Sequence, residues 1–105
     1  MWTRLSHQRR YREPTHGQGR LTQAAAWEHA TDGVRVNAVG PGFIATPLLT
    51  KNLDQRTLDF LATQHALKRL GKPDEVAELV AWLASDGSSF ATGTYYPIDG
   101  GYLAR

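Results

Sequence analysis

The sequence predicts an α/β fold built on a parallel pair of strands, and three observations carry the prediction. An Ala-rich helical segment feeds a run of period-2 residues, Val34 to Val39, which stops at Gly40-Pro41-Gly42. A second, longer helical pattern beginning at Pro73 feeds a short strand-like run, Thr94 to Ile98. Each strand follows a helix long enough to cross over, so the two run parallel. Two strands do not make a stable parallel sheet, which needs further strands alongside and cover on both faces. The pattern therefore reads as one part of a larger parallel sheet.

At 105 residues the chain is one domain or part of one, with an ordinary 41% hydrophobic and 21% charged composition. It has no cysteine, which excludes a disulfide framework and a thiolate metal site. No apolar run approaches a membrane span and the N-terminus lacks a signal-peptide core, so a cytoplasmic protein is expected, with no membrane partner. The net charge of +2 is unevenly spread. Residues 1–20 carry Arg4, Arg9, Arg10, Arg12 and Arg20 against Glu13 alone, and the remainder is mildly acidic. With Pro14, Gly17, Gly19 and no period, this segment reads as an arm, disordered or unrelated to the rest of the chain. Its arginines, with Trp2 and Tyr11, have the chemistry to grip phosphates and stack bases, but no binding fold accompanies them, so nucleic acid is not an expected partner.

From Leu21 a helix is expected, with Leu21, Ala24, Ala25 and Glu28 at helical spacing and Asp32-Gly33 as its stop. The strand after it does not end in an ordinary turn. Open α/β sheets place ligands beyond the carboxyl ends of their strands, which makes Pro41 to Thr46 the first candidate site. Residues 47–68 read as a lid: a short apolar helix start, then a helix capped by Asp54 and carrying Leu58, Leu61 and Ala62. The next helix has Pro73 at its first position, Asp74 and Glu75 at the positive end of the dipole, and Val76, Leu79, Val80 and Leu83 as an apolar stripe, ending at Asp86-Gly87. After the last strand, Asp99-Gly100-Gly101 is expected to form a tight turn that docks the C-terminus. Histidines at 7, 16, 29 and 65 are too scattered to suggest a metal site.

Three pieces, "LTQAAAWEHATDGVRVNAVGPGFIATPL", "RLGKPDEVAELVAWLASD" and "ATGTYYPIDGGY", stand in the order and spacing of one family. Over residues 21–105 the chain resembles the C-terminal part of the short-chain dehydrogenase/reductases. The resemblance implies the last two strands of a Rossmann-type sheet, with covering helices and a substrate-selecting lid. It further implies hydride transfer between NAD or NADP and a small-molecule alcohol or carbonyl. Pro41 and Gly42 would lie under the nicotinamide, the Ile44 backbone would meet its carboxamide, and the Thr46 hydroxyl would reach the carboxamide or pyrophosphate. Physically, Gly42 permits close approach, free N–H and C=O groups pair with an amide, and one hydroxyl adds orientation. Thr46 can also cap the next helix. Leu48, Leu49, Leu53 and Phe60 would wall an apolar pocket, and Tyr95, Tyr96 and Trp82 would be core or subunit-contact aromatics.

The family's phosphate-cradling TGxxxGxG loop, NAG segment and catalytic Ser belong upstream of the matched region and are absent from this sequence. Counting ten residues back from Leu21-Thr22, where the family commonly has the Tyr of its Tyr-x3-Lys pair, gives Tyr11, and the Lys position is Thr15. Thr15 supplies no ammonium to lower a tyrosine pKa from about 10, and Pro14 interrupts what would be a helix. No catalytic residue is therefore assigned, and the chain alone is expected to be inactive. The alternative is an interaction module: "PDEVAELVAWLAS", "TYYPI" and the free edge of "VRVNAV" would make homo-oligomeric contacts.

Overall fold

The computed structural model of the chain describes residues 16–105; Tyr11, Pro14, Thr15 and most of the Arg-rich segment lie outside the described residues. Helix α1 spans His16–His29, so residues 16–20, which the sequence patterns assign to the arm, are helical. Its buried positions are Gly19, Thr22 and Ala26, while Leu21 and Trp27 are 70% and 87% exposed. The inward stripe is thus made of small residues at 3-and-4 spacing, which carry little hydrophobic signal, and the periodicity alone starts the helix too late for this reason. A single 3₁₀ turn, Ala30–Asp32, ends it at Gly33, which adopts a left-handed φ of 79° and donates its N–H to Ala30 O at 3.2 Å.

Strand β1, Ala38–Pro41, pairs in parallel with β2, Tyr95–Ile98, in the register Ala38 to Tyr95 through Pro41 to Ile98. The expected strand at Val34 to Val39 therefore joins the ladder only at Ala38 and continues to Pro41. Residues before Ala38 face a loop rather than a strand. Val36 N–H donates to Thr92 Oγ1 at 3.0 Å, Val36 O accepts from Gly93 N at 2.7 Å, and the Asn37 side chain bridges Ala91 O and Thr94 N. A Cβ on Gly40 would overlap the Tyr95 ring, whose hydroxyl end lies against the Gly40 backbone.

Between the strands lie α2 (Pro47–Asn52), α3 (Gln55–Thr63) and α4 (Pro73–Ala84). Asp54 caps α3 as expected, its carboxylate accepting from Thr57 N–H at 2.9 Å, an interaction that lowers its pKa. In α4, Val76, Leu79 and Leu83 are half-buried, but Val80 is 48% exposed and falls off the stripe. The Arg35 guanidinium clamps the C-terminal end of α4, donating to Leu83 O at 2.9 Å and Ser85 O at 3.1 Å, and also to Ser88 Oγ and Ala91 O. A cation there satisfies carbonyls that the helix leaves unpaired.

At the other end of α4, Glu75 takes a bidentate pair from Arg69 at 2.9 and 2.8 Å and accepts the Lys72 N–H at 2.8 Å. The Arg69 hydrogen bonds first, then the Lys72 amide, hold the Glu75 carboxyl down at about 2 against an ordinary 4.5. A carboxylate depressed in the folded state contributes stability above its unfolded pKa and loses it as pH falls toward the folded value. Acid unfolding between about pH 4.5 and 2 is therefore expected to be shallower in Glu75→Gln than in the wild type, as followed by circular dichroism, with the difference reduced by salt because both side chains are well exposed.

Among the described residues only Gly19, Thr22, Ala26, His65 and Ser88 are buried. The most buried of the large side chains is thus a histidine, not an apolar residue.

Candidate functional site

The ladder does not stop at Pro41. Gly42 N–H donates to Ile98 O at 3.1 Å, so β2 still guides the chain as it enters the loop. Two residues later Ile44 forms an isolated parallel bridge with Gly71: Gly71 N–H donates to Phe43 O at 2.9 Å and Ala45 N–H donates to Gly71 O at 2.8 Å. The Ile44 side chain lies over Gly71, where a Cβ would stand 2.6 Å from Ile44 Cδ1 and push that side-chain end aside. The run from Pro41 to Thr46 is therefore held from both sides, by Ile98 and by Gly71.

Within this fixed loop two hydrogen-bond donors have no partner among the described residues. One is the Ile44 N–H, whose own carbonyl accepts from Thr46 N at 2.7 Å. The other is the Thr46 hydroxyl: Thr46 occupies the N-cap position of α2 (φ −93°, ψ 160°), yet its side chain makes no capping bond. The capping expected of that hydroxyl is thus absent, and the hydroxyl is available to a ligand. Half-exposed backbone N–H and hydroxyl groups on a fixed loop can take an amide, which offers both a carbonyl acceptor and N–H donors. The residues present fit a nicotinamide carboxamide in this respect.

Pro41 and Gly42 line a cleft of about 240 Å³ with Gly40, Phe43, Tyr95 and Asp99. Ile44 and Thr46 are outside that lining, so the four candidate residues lie along one loop but do not share one cavity. In the lid, Leu48 is 73% and Phe60 61% exposed, while Leu49 and Leu53 are half-buried. The C-terminal turn contributes Asp99, Tyr102 and Leu103 to the cleft, and Gly100 and Gly101 within that turn both have positive φ. The Asp99 carboxylate accepts from Gly101 N at 3.0 Å and Leu103 N at 3.2 Å, closing the turn as the sequence suggests.

His65, counted in the sequence only as one of four scattered histidines, is the residue the site is packed around. It is 2% exposed. Its Nε2 accepts from Phe43 N–H at 3.1 Å, and its Nδ1 lies 2.6 Å from Arg69 O. A carbonyl on one side and an amide N–H on the other leave a single tautomer, neutral with the proton on Nδ1. The ring stands 5.6 Å from Phe43 and edge-on to Tyr102 at 6.4 Å between centroids. A Cβ on Gly42 would come within 2.7 Å of Nε2, and one on Gly100 within 3.2 Å of the His65 Cβ. No local sequence signal marks this role, because Phe43 and Gly100 are 22 and 35 positions away; only the periodicity of the lid places His65 near a helix end.

Comparison with known proteins gives the family and the fold. The family described as Enoyl-(Acyl carrier protein) reductase matches residues 6–103, beginning inside the segment that the sequence patterns set apart as an arm. A cyclohexanol dehydrogenase of Acinetobacter sp. (strain SE19) is 44% identical over 90 residues, covering 86% of this chain and 34% of that protein. An acetoacetyl-CoA reductase of Cupriavidus necator is 46% identical over 81 residues, covering 77% of this chain and 32% of that protein. The crystal structure of a short chain dehydrogenase family protein from Francisella tularensis subsp. tularensis SCHU S4 superposes with a TM-score of 0.76 at 32% identity, covering 87% of this chain and 42% of that one. The chain spans about a third of the length of the curated relatives it matches.

Proposed function

Because the chain belongs to the short-chain dehydrogenase/reductase family, we propose that its Pro41–Thr46 loop forms one wall of the nicotinamide site of an NAD(P)-dependent oxidoreductase acting on a small alcohol or carbonyl. The observation that carries this reading is the pair of unpartnered groups, Ile44 N–H and Thr46 hydroxyl, on a loop braced by Gly71 and Ile98. When bound, the nicotinamide supplies the hydride donor or acceptor. The chain's part is to place it. Gly42 would let the ring approach the backbone, and the Ile44 N–H and the Thr46 hydroxyl would hold and orient the carboxamide. The apolar lid side chains Leu48 and Phe60, exposed as they stand, would close over substrate and exclude water.

The proposed role is one of binding and orientation. Tyr11 is followed four residues later by Thr15, not by a lysine, so turnover by the 105-residue chain alone is not part of it. Self-association is a second reading, favoured by the exposure of Trp27 on α1 and of Trp82 and Val80 on α4.

The test is a thermal melt of the chain with and without excess NAD(H) and NADP(H), with sedimentation of the same sample. A cofactor that binds the folded chain raises the melting midpoint. Thr46→Val removes the hydroxyl without removing a cap bond, so the unliganded midpoint is expected to stay put while cofactor affinity falls about three- to tenfold, the worth of one hydrogen bond. A wild-type midpoint indifferent to both cofactors rejects the binding reading, and a stable monomer in sedimentation rejects self-association.

A further inference from the structure

A loop that holds a carboxamide must also be aimed at it. His65 lies in the lid segment, after α3, and reaches back to the loop through a single hydrogen bond to Phe43 N–H. Phe43 immediately precedes Ile44, so the plane of the peptide that carries the Ile44 N–H is fixed on its N-terminal side by what holds Phe43. That hold has two parts: Phe43 O is taken by Gly71, and Phe43 N–H by His65.

The histidine is itself braced. The chain turns sharply from His65 to Lys68, with Lys68 N–H donating to His65 O at 3.0 Å and Lys68 held at a left-handed φ of 57°. A non-glycine residue in that region is strained, and such strain persists only where the surroundings enforce it. Its result here is to fold Arg69 back so that its carbonyl meets the His65 Nδ1–H at 2.6 Å. The same Arg69 pairs with Glu75 at the start of α4. A continuous set of contacts therefore runs from α4 through Arg69 and the His65 ring to the amide one residue before Ile44.

We propose that His65 is a positioning residue of the cofactor wall: through the Phe43 amide it couples the end of the lid to the orientation of the Ile44 N–H and the Thr46 hydroxyl. The inference rests on the binding reading above for its functional half and on geometry alone for its structural half. It differs from simple core packing because it needs an acceptor at the Nε2 position, not a filled volume.

The test uses the whole chain in three forms, wild type, His65→Leu and His65→Gln. Leucine fills space without an acceptor, whereas glutamine presents an oxygen at about the reach of Nε2. Amide hydrogen exchange is followed residue by residue, with NAD(P)H titration on the same samples. In His65→Leu the Phe43 and Ala45 amides are expected to exchange about tenfold faster while Ala38 and the α4 amides hold, and cofactor affinity to fall about tenfold. His65→Gln recovers most of both. Equal protection of Phe43 in all three forms overturns the proposal, as does a uniform loss of protection across the chain in leucine and glutamine alike, which would mean a packing role only. If His65→Leu does not fold, the wild-type imidazole nitrogen shifts decide: a proton on Nδ1 and a scalar coupling between the Phe43 amide and Nε2 support the proposal, and the opposite tautomer overturns it. Failure of the wild type to bind cofactor rejects the binding reading and the functional half with it, while the exchange pattern still decides whether His65 holds the loop.

Discussion

Gly101→Ala is expected to lower the thermal unfolding midpoint by about 10 °C or more, roughly twice the effect of Gly33→Ala. Both glycines have left-handed φ, 90° and 79° respectively, so an alanine at either position carries the same conformational penalty of about 1–2 kcal/mol. They differ in what a Cβ would meet. At Gly33 there is nothing within 4 Å, whereas at Gly101 the new methyl would stand 2.6 Å from the Ala66 Cβ, on the residue next to His65. Overpacking of that kind adds about 1–3 kcal/mol. With about 4–8 °C per kcal/mol for a domain of this size, the two substitutions separate clearly in a melting experiment. Equal losses would mean that the C-terminal turn does not press on the lid as the structure has it.

Gly42→Ala is expected to remove cofactor binding and to destabilise the chain by about 1–3 kcal/mol, although Gly42 has no left-handed φ to lose. The added Cβ would lie 2.7 Å from His65 Nε2 and 2.9 Å from Asp99 Cα. Neither neighbour can yield cheaply: one is backbone, and the other is a ring tied at both nitrogens. The ring must swing off the Phe43 amide or the loop must leave β2. Either movement displaces the Ile44 N–H, so a melt and a cofactor titration should both respond. A variant that loses stability yet binds normally would separate the loop's packing from its aim, against the role proposed for His65.

Much of the fold is legible in the sequence because its signals are local. Gly33 and Asp32 stop a helix, Pro73 with Asp74 and Glu75 starts one, Asp54 caps another, and Asp99-Gly100-Gly101 closes a turn; each depends on residues within one turn of chain. The candidate loop is legible for the same reason, since a strand breaking at Pro41-Gly42 needs no distant partner to be noticed. A pattern read without its partners ends the first strand at Val39, where the ladder runs on to Pro41, and errs further at two starting boundaries. It starts α1 too late because the inward stripe is Gly19, Thr22 and Ala26 rather than the visible leucine, and it starts the first strand too early because residues 91–94 opposite Val36 form a loop.

Short-range periodicity, capping and turn chemistry thus specify the order of elements and the parallel pairing, and they mark the loop proposed to hold a ligand. How that loop is held is a property of the folded chain alone. Gly71, His65 and Asp99 come to it from 22 to 57 residues away along the chain, Arg35 reaches the far end of α4, and the Ile44 N–H and Thr46 hydroxyl are left without partners among the described residues. A hydrogen bond between residues so distant in sequence leaves no period and no local motif. It exists only once the chain has folded, because the contact is made by the packing that surrounds it.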